Sequence, residues 1–198
     1  ISGLYDAFGT EEFDDLYLKY EADKTIPKKT VPAQDLFFDL LKERAETGRI
    51  YIMNLDHCNS HSSFKDKVSM SNLCQEITLP TTPIQDIHDE QGEIALCILS
   101  AVNVGGLNDL SELENICDLS VRALEQIIDY QDYPVKAAEV STKKRRSLGI
   151  GYIGLAHYLA KHGVKYSDPK AWDLVDRLTE AFQYNLLRAS CNIAMEKG

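Results

Sequence analysis

The run Ser71-Asn72-Leu73-Cys74-Gln75-Glu76 sets a thiol between an amide and a carboxylate at two-residue spacing. Pro80 and Pro83 follow and discourage a continuing helix, so the run is expected to be extended. Side chains alternate in an extended segment. That predicts Asn72, Cys74 and Glu76 on one face, neighbours about 6.6 Å apart at about 3.3 Å per residue, with Leu73 and Gln75 on the other. A redox-active or nucleophilic thiol, a hydrogen-bonding amide and a base on one face can address one small polar molecule, and a sugar ring suits that combination. By spacing alone, a surface loop with a half-buried cysteine reads the same way.

The other cysteines are Cys58, Cys97, Cys117 and Cys191, an odd total of five with no Cys-x-x-Cys pair. This is neither a secreted disulfide framework nor a zinc ribbon. Cys97 sits in an apolar run, where a small core hydrophobe is the plain reading; Cys117 and Cys191 fall in helical patterns and read as packing residues. Asp56-His57-Cys58 with His61 offers metal-capable side chains, but no second cluster completes a zinc-type set, so no metal site is expected. Lys143-Lys144-Arg145-Arg146 reads as a solvated helix entry rather than a phosphate site. Gly149-Ile150-Gly151-Tyr152-Ile153-Gly154 fits Gly-x-Gly-x-x-Gly, with Asp168 downstream as a ribose-binding acid. The glycines follow charged residues rather than an apolar strand, so the strand-turn-helix that delivers pyrophosphate to a helix N-terminus is not expected.

Alternating elements must position these groups. Phe13, Leu16, Tyr17 and Tyr20 mark a helix over 11–22, and Leu36, Phe37, Leu40 and Leu41 one over 33–47, stopped by Gly48. Arg49–Leu55 alternates and reads as a strand; Ile94–Val104 is nearly continuous apolar and reads as a fully buried strand. Ser111-Glu112-Leu113-Glu114 matches a capping box opening a helix over 111–129. Asp168-Pro169 opens a last helix whose stripe includes Trp172, Val175, Leu178, Phe182, Leu186 and Ile193. Strands alternating with long helices imply an α/β layer or barrel, with no domain boundary apparent.

The 198 residues are 44% hydrophobic and carry 21 basic against 31 acidic groups, a formal charge of -10. That is enough chain for one core, and its field disfavours a nonspecific nucleic-acid coat. No apolar run reaches the roughly 18 to 20 residues of a membrane span, and no secretory signal pattern opens the chain, so a soluble intracellular protein is expected. Beginning at Ile1 and stopping at Gly198 in a helical pattern, the chain is expected to be an internal piece of a longer one.

Asn72-Leu73-Cys74-Gln75-Glu76 resembles the signature of the large, catalytic subunit of class I ribonucleotide reductases. Gly3-Leu4-Tyr5-Asp6-Ala7-Phe8, Gly48-Arg49-Ile50-Tyr51-Ile52, Asp56-His57-Cys58-Asn59, Gly92-Glu93-Ile94-Ala95-Leu96-Cys97, Asp129-Tyr130-Gln131-Asp132-Tyr133-Pro134 and Leu148-Gly149-Ile150-Gly151 resemble it in the same order, across essentially the whole chain. The short connection 64–70 looks phage-like. The resemblance implies an α/β fold, a central slice of a ten-stranded α/β barrel with an internal finger loop, as one incomplete domain over 1–198. It implies that Cys74 becomes a transient thiyl radical that takes the ribose 3′ hydrogen, that Glu76 is the base for the 3′-hydroxyl, and that Asn72 orients the ribose hydroxyls. Residues 72–76, including Leu73 and Gln75, would line the substrate. Cys97 would be one of two cysteines that deliver reducing equivalents as the 2′-hydroxyl leaves as water.

The same resemblance implies a ribonucleoside diphosphate substrate, a radical relayed from a metal-containing small subunit, thioredoxin or glutaredoxin as reductant, ATP and deoxynucleotide effectors, and a homodimeric parent in the cytoplasm, or the host cytoplasm if phage-encoded. No cofactor, nucleic acid or membrane contact is expected of this segment itself. The second reducing cysteine, the tyrosine relay, the C-terminal cysteine pair and the allosteric domain are expected outside it, so the isolated segment is expected to be inactive. Alternatives are a B12-dependent class II reductase, which shares Asn-x-Cys-x-Glu, a nicotinamide-dependent dehydrogenase using Gly149, Gly151 and Gly154, and a noncatalytic module with packing cysteines.

Overall fold

A computed structural model describes residues 3–198, which divide into two compact units meeting in sequence between Thr81 and Thr82. The first is helical: α1 (Leu4–Ala7), α2 (Glu11–Ala22), α3 (Ala33–Thr47) and α4 (Leu55–Ser60). Glu11, Glu12 and Asp14 occupy the first turn of α2, where carboxylates complement the helix dipole. Gly48 ends α3 at φ 65°, its N–H donating to Arg44 O, the glycine stop expected from the sequence. Both helices have the expected bounds, yet neither buries a residue fully; Leu36 is 63% and Phe37 56% exposed. Residues 49–54 are irregular rather than a strand, and Leu55 opens α4. Alternation supplied a strand-like face, but among the described residues the only two-strand ladder lies in the second unit, leaving this segment nothing to pair with.

The chain leading to the thiol segment is held by Asn59. Its Nδ2 donates to Leu55 O (2.9 Å) and Val68 O (2.8 Å), and its Oδ1 accepts from Val68 N (2.8 Å). Val68 is fully buried, and Lys67 Nζ donates to the carbonyls of Asp6 and Phe8.

The second unit runs β1 (Ile98–Asn103), short 3-10 turns at Val104–Gly106 and Leu110–Glu112, α5 (Leu113–Tyr130), α6 (Lys136–Arg145), β2 (Leu148–Ile153), α7 (Leu155–Lys161) and α8 (Pro169–Lys197). The strands pair in parallel, Ile98 with Leu148 through Asn103 with Ile153. Even-numbered Val102, Ile150 and Tyr152 pack with Leu113, Cys117, Leu178 and Phe182 beneath α5 and α8. The odd-numbered residues take the opposite face, where Leu99 is 61% and Ile153 57% exposed. The expected continuous burial of 94–104 is therefore corrected to a shorter, alternating strand: helices cover only one face of this sheet.

The capping signal lies upstream of Ser111. Asp109 Oδ1 accepts from Ser111 N (2.8 Å) and Glu112 Oε1 from Asn108 N (3.3 Å), so a 3-10 turn precedes α5. Asp168 caps α8 as expected, accepting from Lys170 N at 2.9 Å, with Pro169 in the first turn. On that helix Ala171, not Trp172, takes the buried position. Trp172 is 72% exposed, one position beyond buried Ala171, and Cys191 is exposed rather than packed, midway between buried Ala189 and Ile193. Cys117 is fully buried, and burial pushes its thiol up from the ordinary range.

Candidate active site

Residues 72–76 form a turn, which overturns the extended reading and its alternating face. Gln75 N donates to Asn72 O (3.1 Å), and Gln75 lies at φ 62°, in the left-handed region. Asn72 Oδ1 accepts from Ile77 N (3.0 Å), and Ser71 Oγ donates to Ile77 O (2.6 Å). Short polar side chains bonding their own backbone compete with an extended ladder, and here they win. Leu73 and Cys74 occupy the tip of this closed loop. Leu73 is 88% exposed, Cys74, Asn72 and Glu76 are exposed, and Gln75 is half-buried. All five predicted substrate-lining residues thus fall in one short turn that offers a thiol, an amide and a carboxylate outward. The Asn72 oxygen serves the turn, while no hydrogen bond from its Nδ2 is present among the described residues.

Cys97 lies in the second unit, one residue before β1 and half-buried. By parity it belongs to the sheet face turned away from α5 and α8, together with Leu99, Ala101, Gly149 and Gly151. The segment leading to it is fixed by groups that sequence patterning missed. Glu93 is 6% exposed and bridges Thr82 through paired backbone hydrogen bonds (3.0 and 3.2 Å). Its carboxylate accepts from Lys144 Nζ (2.6 Å) and Arg145 Nη1 (2.5 Å), and Ile94 N donates to Ala137 O (3.1 Å). Burial pushes the Glu93 carboxyl up, but the hydrogen bonds from Lys144 and Arg145 outweigh it and hold the group below the ordinary carboxylate range. The only sequence signal for this clamp was an acid beside a glycine in an otherwise apolar run.

Lys143–Arg146 therefore closes the last turn of α6 instead of opening a helix; Lys143 and Lys144 are exposed, as a solvated run would be, but the run is also ion-paired and the Arg145 side chain is buried. Lys143 reaches Glu139 (2.8 Å), while Arg146 reaches Glu125 (2.5 Å) and Asp129 (2.9 Å). Gly149 and Gly151 lie inside β2, and only Gly154, at φ 81°, forms the turn into α7. A dinucleotide fingerprint needs its first glycines beyond the strand, so the dehydrogenase reading fails on this geometry. Asp56 and His57 approach to 3.8 Å, and no group of three or more metal-capable side chains occurs among the described residues. No described helix is long and apolar enough to cross a membrane.

An α/β unit with a cysteine at the entry of a parallel strand, and a turn carrying Asn-x-Cys-x-Glu, define a class. Residues 2–198 match the family model described as ribonucleotide reductase, barrel domain, and the chain belongs to that family. It is 57% identical over 203 residues to the ribonucleoside-diphosphate reductase subunit alpha of Haemophilus influenzae, covering 100% of this chain and 27% of that protein. It is 54% identical to ribonucleoside-diphosphate reductase 1 subunit alpha of Escherichia coli, with the same coverage. The subunit alpha of Enterobacteria phage T4 is 40% identical over 95% of this chain and 25% of the phage protein. The chain thus spans about a quarter of the length of the curated relatives it matches.

Proposed function

We propose that this chain is a central segment of the catalytic α/β barrel of a ribonucleoside-diphosphate reductase, part of one domain whose ten-stranded closure and finger loop involve residues beyond the two strands described. The observation that carries the reading is the turn at Asn72–Glu76, which exposes the Cys74 thiol at its tip between an amide donor and a carboxylate. In this reading a thiyl radical on Cys74 takes the 3′ hydrogen atom of the ribose. The Glu76 carboxylate accepts the 3′-hydroxyl proton, and the Asn72 amide hydrogen-bonds the ribose hydroxyls, with Leu73 and Gln75 completing the wall. The 2′-hydroxyl takes a proton from a reducing thiol and leaves as water, and once the two thiols have reduced the sugar the Cys74 thiol returns its hydrogen atom to C3′ and is again a thiyl. Two electrons come from Cys97 and a second cysteine, which close a disulfide that a thioredoxin or glutaredoxin dithiol then reduces.

A separate small, metal-containing subunit would supply the radical. The chain's own contribution is to supply the thiol and the proton acceptor on one closed turn and a reducing thiol at the entry of a strand. ATP and deoxynucleotide effectors, a homodimeric parent and a cytoplasmic setting, or a host's cytoplasm, belong to the same proposal. The test is reduction of a ribonucleoside diphosphate by the full-length protein with its small subunit and a dithiol. Formation of the deoxynucleotide, absent when the small subunit is omitted, supports it; no product with an active small subunit, or product that instead requires added B12 cofactor, overturns the class I reading.

A further inference from the structure

β2 carries two glycines on the face that bears Cys97, and the two sit in different surroundings. Gly149 pairs with Leu99, so a Cβ on Gly149 would project on the same side as Leu99 and Cys97, which flank it at two-residue spacing on the neighbouring strand. That Cβ would lie 2.6 Å from Leu99 Cδ2 and 2.9 Å from Cys97 Sγ. Both distances fall well inside the roughly 3.5 to 4.0 Å of a relaxed nonbonded contact. A Cβ on Gly151, two residues along the same strand and also in β conformation, would meet nothing within 4 Å. The difference is local and steric. Leu99 is 61% exposed and can swing its long side chain away, but Cys97 has a single rotatable bond with which to move its sulfur.

We propose that Gly149 is a positioning residue for the Cys97 thiol: the missing Cβ leaves the seat on β2 in which Sγ rests. The inference rests on the proposed function only for what the seat serves, namely holding a reducing thiol at a fixed place beside the substrate. The seat itself stands on geometry. Filling it with a methyl group displaces Sγ from this seat while leaving the even-numbered, helix-covered face of the sheet unchanged.

The test uses the full-length protein and site-resolved alkylation by iodoacetamide, read by mass spectrometry, with Cys191 as the internal reference. Gly149→Ala should raise the Cys97 alkylation rate relative to Cys191 at least threefold, and Gly151→Ala should leave that ratio within about 1.5-fold. Gly149→Ala should also lower Tm, and adding Cys97→Ala and Leu99→Ala should restore most of the loss, because the colliding atoms are then gone. An unchanged Cys97 ratio in Gly149→Ala, or an equal change in Gly151→Ala, overturns the inference. If Gly149→Ala does not accumulate, failure of the triple variant to accumulate overturns it too, and recovery by the triple variant supports it. Retained cycling with dithiol in Cys97→Ser would instead refute the redox role of Cys97, and the alkylation ratio would still decide the seat.

Discussion

Glu93→Ala should loosen the segment that leads into Cys97, and its size can be worked from exposure. The Arg145 side chain is 8% exposed and Glu93 6%, so removing the carboxylate takes from a buried guanidinium the acceptor that its Nη1 holds at 2.5 Å. Breaking a buried pair by removing one partner costs about 3 to 5 kcal/mol. Lys144, by contrast, is 57% exposed and pairs with the other oxygen of the same carboxylate. Its loss leaves Glu93 still held by Arg145, and an exposed partner is worth about 0 to 1 kcal/mol. Hydrogen exchange of the Glu93 and Ile94 amides reports local opening, since they donate to Thr82 O and Ala137 O. At about 1.4 kcal/mol per tenfold, a cost of about 3 kcal/mol in Glu93→Ala is roughly a hundredfold acceleration, against less than about fivefold in Lys144→Ala. Equal effects of the two variants, or less than threefold acceleration in Glu93→Ala, would refute the assignment of the clamp to the buried Arg145 pair.

Acid should destabilise the protein through the same groups. The folded pKa values of Glu93, Asp129, Glu139 and Glu196 are depressed, so their contribution is complete above the unfolded carboxylate range near about 4 and is lost as pH falls through the lower folded values. Urea midpoints measured downward from pH 6 should start to fall below about pH 4, and a midpoint that rises there contradicts the pairing. Leu178→Ala, at a fully buried position, should cost about 2 to 5 kcal/mol in denaturant unfolding, whereas Trp172→Ala, 72% exposed, should stay within about 0.5 kcal/mol. Gln75→Val, which puts a β-branched residue at φ 62°, should weaken the thiol turn by about 1 to 2 kcal/mol and speed exchange of the Ile77 amide roughly tenfold, while Gln75→Gly tolerates that φ.

Local chemistry was the legible part of this chain. Gly48 and Asp168 announce helix ends because capping is decided by the residues beside the cap; of the helical-spacing residues Leu113, Ile116, Cys117, Leu124, Ile127 and Ile128 of α5, four are buried, Ile116 is half-buried and Ile127 is 43% exposed. The types and order of Asn72, Cys74 and Glu76 were legible as chemistry, but their conformation was not. Pro80 and Pro83 argued correctly against a helix, yet the choice between extended chain and turn was made by Ser71 and Asn72 bonding to Ile77, five and six residues away. Arg49–Leu55 alternates like a strand, but a strand exists only where another is offered to it. Glu93 and Gly149 escaped for the same reason: each matters through a partner about fifty residues distant, Arg145 for one and Cys97 for the other. Trp172 and Cys191 show that an apolar residue near a helical stripe need not lie on its buried line.

Cys74, at the tip of the turn, is the group proposed to initiate chemistry on the ribose. Cys74→Ser in the full-length protein, assayed with small subunit, ribonucleoside diphosphate and dithiol, tests it most directly, because the hydroxyl keeps the shape and loses the weak S–H bond. Deoxynucleotide formation should fall to background with nucleotide binding retained. Turnover within tenfold of the unsubstituted protein would contradict it.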